Sequence, residues 1–152
     1  MGKRVSNLAQ ARLRLEKNGI HIMKTSSVYE TQPMELKEQR DFFNQAVKVK
    51  TFLEPYELLK AAKKIEKECG RKKTVRYGPR TMDIDILWWG GGRVKKKNLI
   101  IPHPRVCKRK FVLVPWMEIA GKNFVLHGKP LNEWLKQIDN HGDVQKVKLY
   151  SH

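Results

Sequence analysis

Leu8, Ala11 and Leu15 recur at helical spacing within residues 4 to 18, and Gly19 stands where such a helix would close. An opening amphipathic helix is predicted there. From Ile20 to Tyr29 the pattern reads as a strand, and from Phe42 to Phe52 the alternation around Ala46, Val47 and Val49 reads as a second. The two are expected to pair as a hairpin across a long polar connection, Gln32 to Asp41, which contains Pro33. Pro55 suits the first turn of a helix whose stripe is Leu58, Leu59, Ala62, Ile65 and Cys69, ending at Gly70. After a basic loop, a strand is predicted through Met82, Ile84 and Ile86 to Trp89, then a Gly-rich basic turn. Residues 112 to 119 and 130 to 138 read as short helices, and Val144 to Leu149 as a last strand. Strands interleaved in this order with helices predict an α+β fold, helices layered on a mainly antiparallel sheet.

Two carboxylates interrupt the apolar alternation of the fifth of these elements. Met82, Ile84 and Ile86 alternate with Asp83 and Asp85, so an extended chain turns both aspartates to one side. Residues i and i+2 lie roughly 6.5 Å apart along a strand, a separation at which two carboxylates can share hard cations such as Mg²⁺ with substrate phosphates. Arg76 and Arg80 lie just upstream, placed to hold those phosphates. A half-buried edge strand with a charged outer face is the alternative reading of the same pattern.

Composition changes this picture little, apart from the charge. A chain of 152 residues suits one domain, residues 1 to 152, with a real core. No long apolar segment predicts a membrane span. Cys69 and Cys107 have no metal-type spacing and suit a reducing, cytoplasmic setting. The net charge of +17 would draw any polyanion, whether a triphosphate or a nucleic acid.

The tract Arg76-Tyr-Gly-Pro-Arg-Thr-Met-Asp-Ile-Asp-Ile-Leu87 resembles the signature of the 6-hydroxymethyl-7,8-dihydropterin pyrophosphokinase family, basic-x-Gly-Pro-Arg-x-x-Asp-aliphatic-Asp. Upstream, the resemblance extends through Thr25-Ser-Ser-Val-Tyr-Glu-Thr-Gln-Pro33, Gln39-Arg-Asp-Phe-Phe-Asn44, Ile65-Glu66 and Gly70-Arg71. Downstream it continues through Ile101-Pro-His-Pro-Arg105, Arg109 with Phe111, and Val114-Pro-Trp-Met-Glu-Ile-Ala120. It implies a ferredoxin-like sandwich. Against the family pattern Met1-Gly2-Lys3-Arg4 aligns with the end of an opening Gly-Ser-Asn-Leu-Gly-Asp-Arg, so a first strand is expected upstream of Met1. Without it the chain is expected to be poorly soluble or dimeric, and with it a monomer.

The activity implied is transfer of pyrophosphate from ATP to the hydroxymethyl group of the reduced pterin in folate biosynthesis, releasing AMP. The resemblance assigns catalysis to Arg80, Asp83, Asp85 and Arg109, and two Mg²⁺ ions to Asp83 and Asp85. It places ATP on Glu66, Lys73, Arg76, Tyr77, Arg80, Ile86, His103 and Arg109, and the pterin on Thr31, Met34, Phe42, Asn44 and Phe111. Lys73 stands where the family usually has arginine, Tyr77 where it has tryptophan, Phe42 where it has tyrosine, and Glu35 where it has glycine. The alternative function is a basic nucleic-acid-binding module that has lost catalysis.

Other signals carry less. Gly90-Gly-Gly-Arg-Val-Lys-Lys-Lys97 lacks the spacing of a phosphate-binding loop and reads as a solvated basic turn. His21, His127, His141 and His152 show no ligand spacing, which argues against zinc. Trp88, Trp89, Trp116 and Trp134 read as packing residues.

Overall fold

Gly19 closes the first helix in the way the sequence predicts. A computed structural model describes residues 2–31, 42–69, 82–140 and 147–149. In it, helix α1 spans Gly2–Lys17, and Gly19 adopts φ +78°. The Ile20 N–H donates to the Leu15 carbonyl at 3.0 Å and the Gly19 N–H to that of Glu16 at 3.2 Å. This is the Schellman pattern, which needs a left-handed residue at the glycine's position. Leu15 and Ile20, the residues it brings together at the helix end, are both buried.

The fold is α+β, with four α-helices and small antiparallel sheets among the described residues. The chain divides into two compact units, Met1–Ile22 with Val49–Pro104 and Met23–Lys48 with Arg105–His152. Strands β1 (His21–Thr25) and β4 (Val47–Lys50) pair with each other.

In the first unit α1 packs on α2, Pro55–Cys69. The start of α2 is built as a partial capping box: Pro55 is the first helical residue, and the Glu57 carboxylate accepts the Glu54 N–H at 3.0 Å. Ala62 and Ile65 bury the predicted stripe. The expected strand from Met82 to Trp89 is absent: the residues alternate between half-buried and exposed up to Ile86, as the pattern requires, but form no sheet ladder. Alternation fixes which side faces inward, whereas a strand needs a partner at hydrogen-bonding distance. The basic turn after it is also more than a turn. Val94–Lys96 forms β5 and Leu99–Ile101 forms β6, paired antiparallel. Glycine suits its approach, because a Cβ on Gly91 would collide with the Trp89 ring unless that ring shifted.

In the second unit β2 (Tyr29–Thr31) is central, flanked by β3 (Phe42–Asn44) and β9 (Val147–Leu149), both antiparallel. The expected hairpin therefore exists but is broken into two ladders. Ser26 makes the break: its buried hydroxyl accepts the Ala46 N–H at 2.9 Å while its own N–H donates to the Ala46 carbonyl at 2.8 Å. Helix α3, Lys110–Ala120, packs on this sheet, and α4, Leu131–Asn140, packs on α3. Leu113, Trp116, Leu126 and Leu131 form the core there. The short strands β7 (Val125–Leu126) and β8 (Lys129–Pro130) close through His127 and Gly128, both at positive φ, and the Trp134 indole N–H donates to the Leu126 carbonyl at 2.7 Å.

Candidate active site

The expected site residues fall in both units, and each group has its own geometry. Lys73, Arg76, Tyr77, Arg80 and Met34 lie outside the described residues, and Phe42 is described only through its backbone in β3.

In the first unit Asp83 and Asp85 are exposed while Met82, Ile84 and Ile86 between and beside them are half-buried. Both carboxylates thus face away from the packed side, as period-two alternation requires. What fixes the backbone between them is a third carboxylate. Glu66, on the last turn of α2, accepts the Ile84 N–H through Oε2 at 2.6 Å, and its Oε1 lies 3.4 Å from Lys63 Nζ. The Glu66 side chain is only 13% exposed, so this bond forms largely out of water, where a charge-assisted contact is strongest. Farther along, the His103 N–H donates to the Leu87 carbonyl at 3.0 Å, tying the end of the same segment to the residues after β6. Glu66, His103 and the aspartate segment, placed together by sequence, are thus joined through the backbone.

The donor set suits magnesium. Two carboxylates offer hard oxygen ligands on an accessible side, and among the described residues no group of three or more His, Cys, Asp or Glu stands placed to hold a metal. A cation held by Asp83 and Asp85 would need phosphate and water oxygens as well, the usual condition of Mg²⁺ in phosphoryl-transfer sites.

In the second unit, Asn44 donates from Nδ2 to the Thr31 hydroxyl at 3.1 Å, across the β2–β3 ladder. Thr31 is buried and Asn44 half-buried. Arg109 stands directly before α3, and its guanidinium lies 5.7 Å from the centre of the Phe111 ring. A cation and an aromatic ring are thereby held side by side at the start of the helix.

Sequence reasoning assigned no role to Glu118, yet its carboxylate accepts three hydrogen bonds. Its Oε2 accepts the Ser27 N–H at 2.9 Å and the Ser27 hydroxyl at 3.0 Å, and its Oε1 accepts the Tyr29 hydroxyl at 2.6 Å. The C-terminal half of α3 is thus fastened to the strand leading to Thr31. Both partners lie in tracts that carry the family resemblance, which was the available signal. Burial and the neighbouring Glu118 push the Tyr29 hydroxyl up to about 12, so it remains a neutral donor at ordinary pH. Partial burial works to raise the Glu118 carboxyl, but the bonds from Tyr29 and Ser27 outweigh it and hold it below the usual range. A lowered carboxyl adds stability above its unfolded pKa and loses it as pH falls through the folded value. Glu118→Gln is therefore expected to lower the melting temperature at pH 7 and to converge with the wild type under acid, a pattern that melts in a pH series would check.

Comparison with known proteins decides what this arrangement belongs to. A family model described as 7,8-dihydro-6-hydroxymethylpterin-pyrophosphokinase matches residues 1–121. The chain belongs to that family. It is 44% identical over 121 residues to the 2-amino-4-hydroxy-6-hydroxymethyldihydropteridine pyrophosphokinase of Bacillus subtilis, covering 79% of this chain and 72% of the relative. To the Haemophilus influenzae protein of the same name it is 37% identical over 121 residues, covering 80% and 76%. A mitochondrial folate synthesis bifunctional protein of Pisum sativum is 44% identical over 121 residues, and there the chain spans 24% of the relative's length. The pyrophosphokinase family therefore covers α1 through α3, including Asp83, Asp85, Glu66, His103, Arg109 and Phe111. Among the described residues no helix is long and apolar enough to cross a membrane.

Proposed function

We propose that the chain transfers the pyrophosphoryl group of ATP to 6-hydroxymethyl-7,8-dihydropterin, yielding AMP and the pterin diphosphate for folate biosynthesis. The observation that carries this reading is the Asp83-Ile84-Asp85 segment, with both carboxylates exposed on one side and the intervening N–H clamped by Glu66. Family membership supplies the reaction class. A basic binding module without catalysis is not favoured, because the relatives named pyrophosphokinases match across most of their own length.

In this reaction the pterin alcohol oxygen bonds to the β-phosphorus, the bond from that phosphorus to the oxygen bridging to the α-phosphate breaks, and the alcohol proton is released. Mg²⁺, two ions in this proposal, would offset phosphate charge when bound at Asp83 and Asp85. The polypeptide's share is positioning and charge. Arg80, Arg76, Arg109, His103 and Lys73 are proposed to meet the phosphates, and Glu66, Tyr77 and Ile86 the nucleoside. Thr31, Asn44 and Met34 are proposed to meet the pterin edge, with Phe42 and Phe111 supplying ring faces. The Asn44–Thr31 bond supports this, since it fixes an amide and a hydroxyl on adjacent strands. A ferredoxin-like arrangement, a single domain, and a reducing compartment belong to the same proposal; both cysteines are free thiols.

The test is AMP release from Mg-ATP with and without the reduced pterin. Pterin-dependent AMP is the expected result, and its absence in well-folded protein overturns the reading. Within that assay Phe111→Ala is expected to weaken pterin binding by roughly 1 to 3 kcal/mol and to leave ATP affinity nearly unchanged, as calorimetric titration of each ligand would report.

A further inference from the structure

We propose that the β5–β6 hairpin is a second, non-catalytic binding surface, a basic two-stranded ribbon that docks on the phosphates of duplex DNA. The register pairs Val94 with Ile101, Lys95 with Ile100 and Lys96 with Leu99. Paired residues of a ribbon share a face, so Val94, Leu99 and Ile101 turn one way and Lys95 and Ile100 the other. Burial agrees: Leu99 and Ile101 are buried and Val94 half-buried, whereas Lys95 is exposed and Ile100 is 45% exposed. Lys96, on the inward side, reaches over the Tyr56 ring at 5.8 Å, which anchors the ribbon on the start of α2.

The outward side is left cationic. Arg93 shares the side of Lys95 by alternation, Lys97 opens the two-residue turn, and both are exposed. From Arg93 to Lys97 an extended chain spans roughly 13 Å, room for several phosphates at about 3.4 Å of rise per step of one strand. No Asp or Glu occurs between Asp85 and Glu118, so the ribbon's own stretch of chain carries no carboxylate to offset it. A two-stranded ribbon also has the width that the DNA major groove admits.

A lipid surface fits less well. Interfacial anchors place an apolar face in the bilayer, and the apolar face of this ribbon is packed inward, leaving Ile100 as the lone aliphatic on the outer side of its two strands. None of Arg93, Lys95 and Lys97 belongs to the proposed transfer site, so this inference stands apart from the catalytic one.

Fluorescence anisotropy of a labelled mixed-sequence duplex, titrated with the full chain over a salt series, tests it. Replacing Arg93, Lys95 and Lys97 together with Gln should weaken binding at least tenfold at low salt and reduce the slope of log affinity against log salt by roughly 2 to 3. Replacing Lys60, Lys64 and Lys67 of α2 with Gln removes the same charge elsewhere and should change the slope by less than about 1. Lys95→Arg with Lys97→Arg should keep wild-type binding. Pterin-dependent AMP release should be unchanged in the Gln variant, which also certifies its fold. Equal losses in the two Gln variants would reduce the effect to bulk charge and overturn the proposal. So would wild-type binding by the ribbon variant, or ribbon-dependent capture by phosphatidylserine vesicles or single-stranded oligonucleotides in preference to duplex.

Discussion

Asp83→Ala and Asp85→Ala should each lower pterin-dependent AMP release by at least about 10²–10³-fold, the scale on which removing one preorganised charge-stabilising group is felt. Stability should hardly move. Both side chains are exposed, while the apolar residues that seat the segment, Met82, Ile84 and Ile86, are untouched. Exposed substitutions of this kind usually stay within about 0.5 kcal/mol. Turnover and a thermal melt on the same preparations separate the two effects, and near-wild-type turnover in either variant removes the pair from the chemistry.

Glu66 is expected to show the second largest effect, by a different route. Its carboxylate accepts the Ile84 N–H at 2.6 Å from a position 18 residues earlier in the chain, at the midpoint between the two aspartates. In Glu66→Ala that N–H loses its acceptor, at a cost on the order of 1 to 3 kcal/mol, and the aspartate segment loses the clamp that sets its backbone. Turnover should fall at least tenfold together with the melting temperature. Glu66→Gln keeps an acceptor oxygen and should recover most of the stability. If Gln turnover also recovers, the clamp is the residue's main contribution; if turnover stays at the Ala level while the melt recovers, the negative charge itself is required, as contact with the nucleoside would demand. Melts and ATP titrations of the two variants distinguish these outcomes.

Local signals in the chain were sufficient for the helices. The Leu8-Ala11-Leu15 and Ala62-Ile65 stripes, Pro55 at a helix start and Gly19 past a helix end are rules acting within a few residues, and the structure obeys them. The Asp83-Ile84-Asp85 alternation was equally legible, and its faces are as read. Its description as a strand was not, because a ladder depends on which segment lies alongside. The tract from Gly90 to Lys97 reads as a solvated basic turn, and neither glycine nor lysine has a preference for strands. Pairing with Leu99–Ile101, whose apolar side chains could be buried, overrode that tendency.

What sequence alone determined is therefore the set of elements governed by short-range periodicity and capping, the side on which the two aspartates lie, and the family-like order of motifs. Tertiary structure decided the rest. Glu66 meets Ile84 across 18 residues, Asn44 meets Thr31 across 13, and Glu118 meets Ser27 across 91. A hydrogen bond at 2.6 to 3.1 Å is set by where packed elements bring two groups. Burial of apolar faces supplies that placement without specifying, in any short stretch of sequence, which polar atoms will meet.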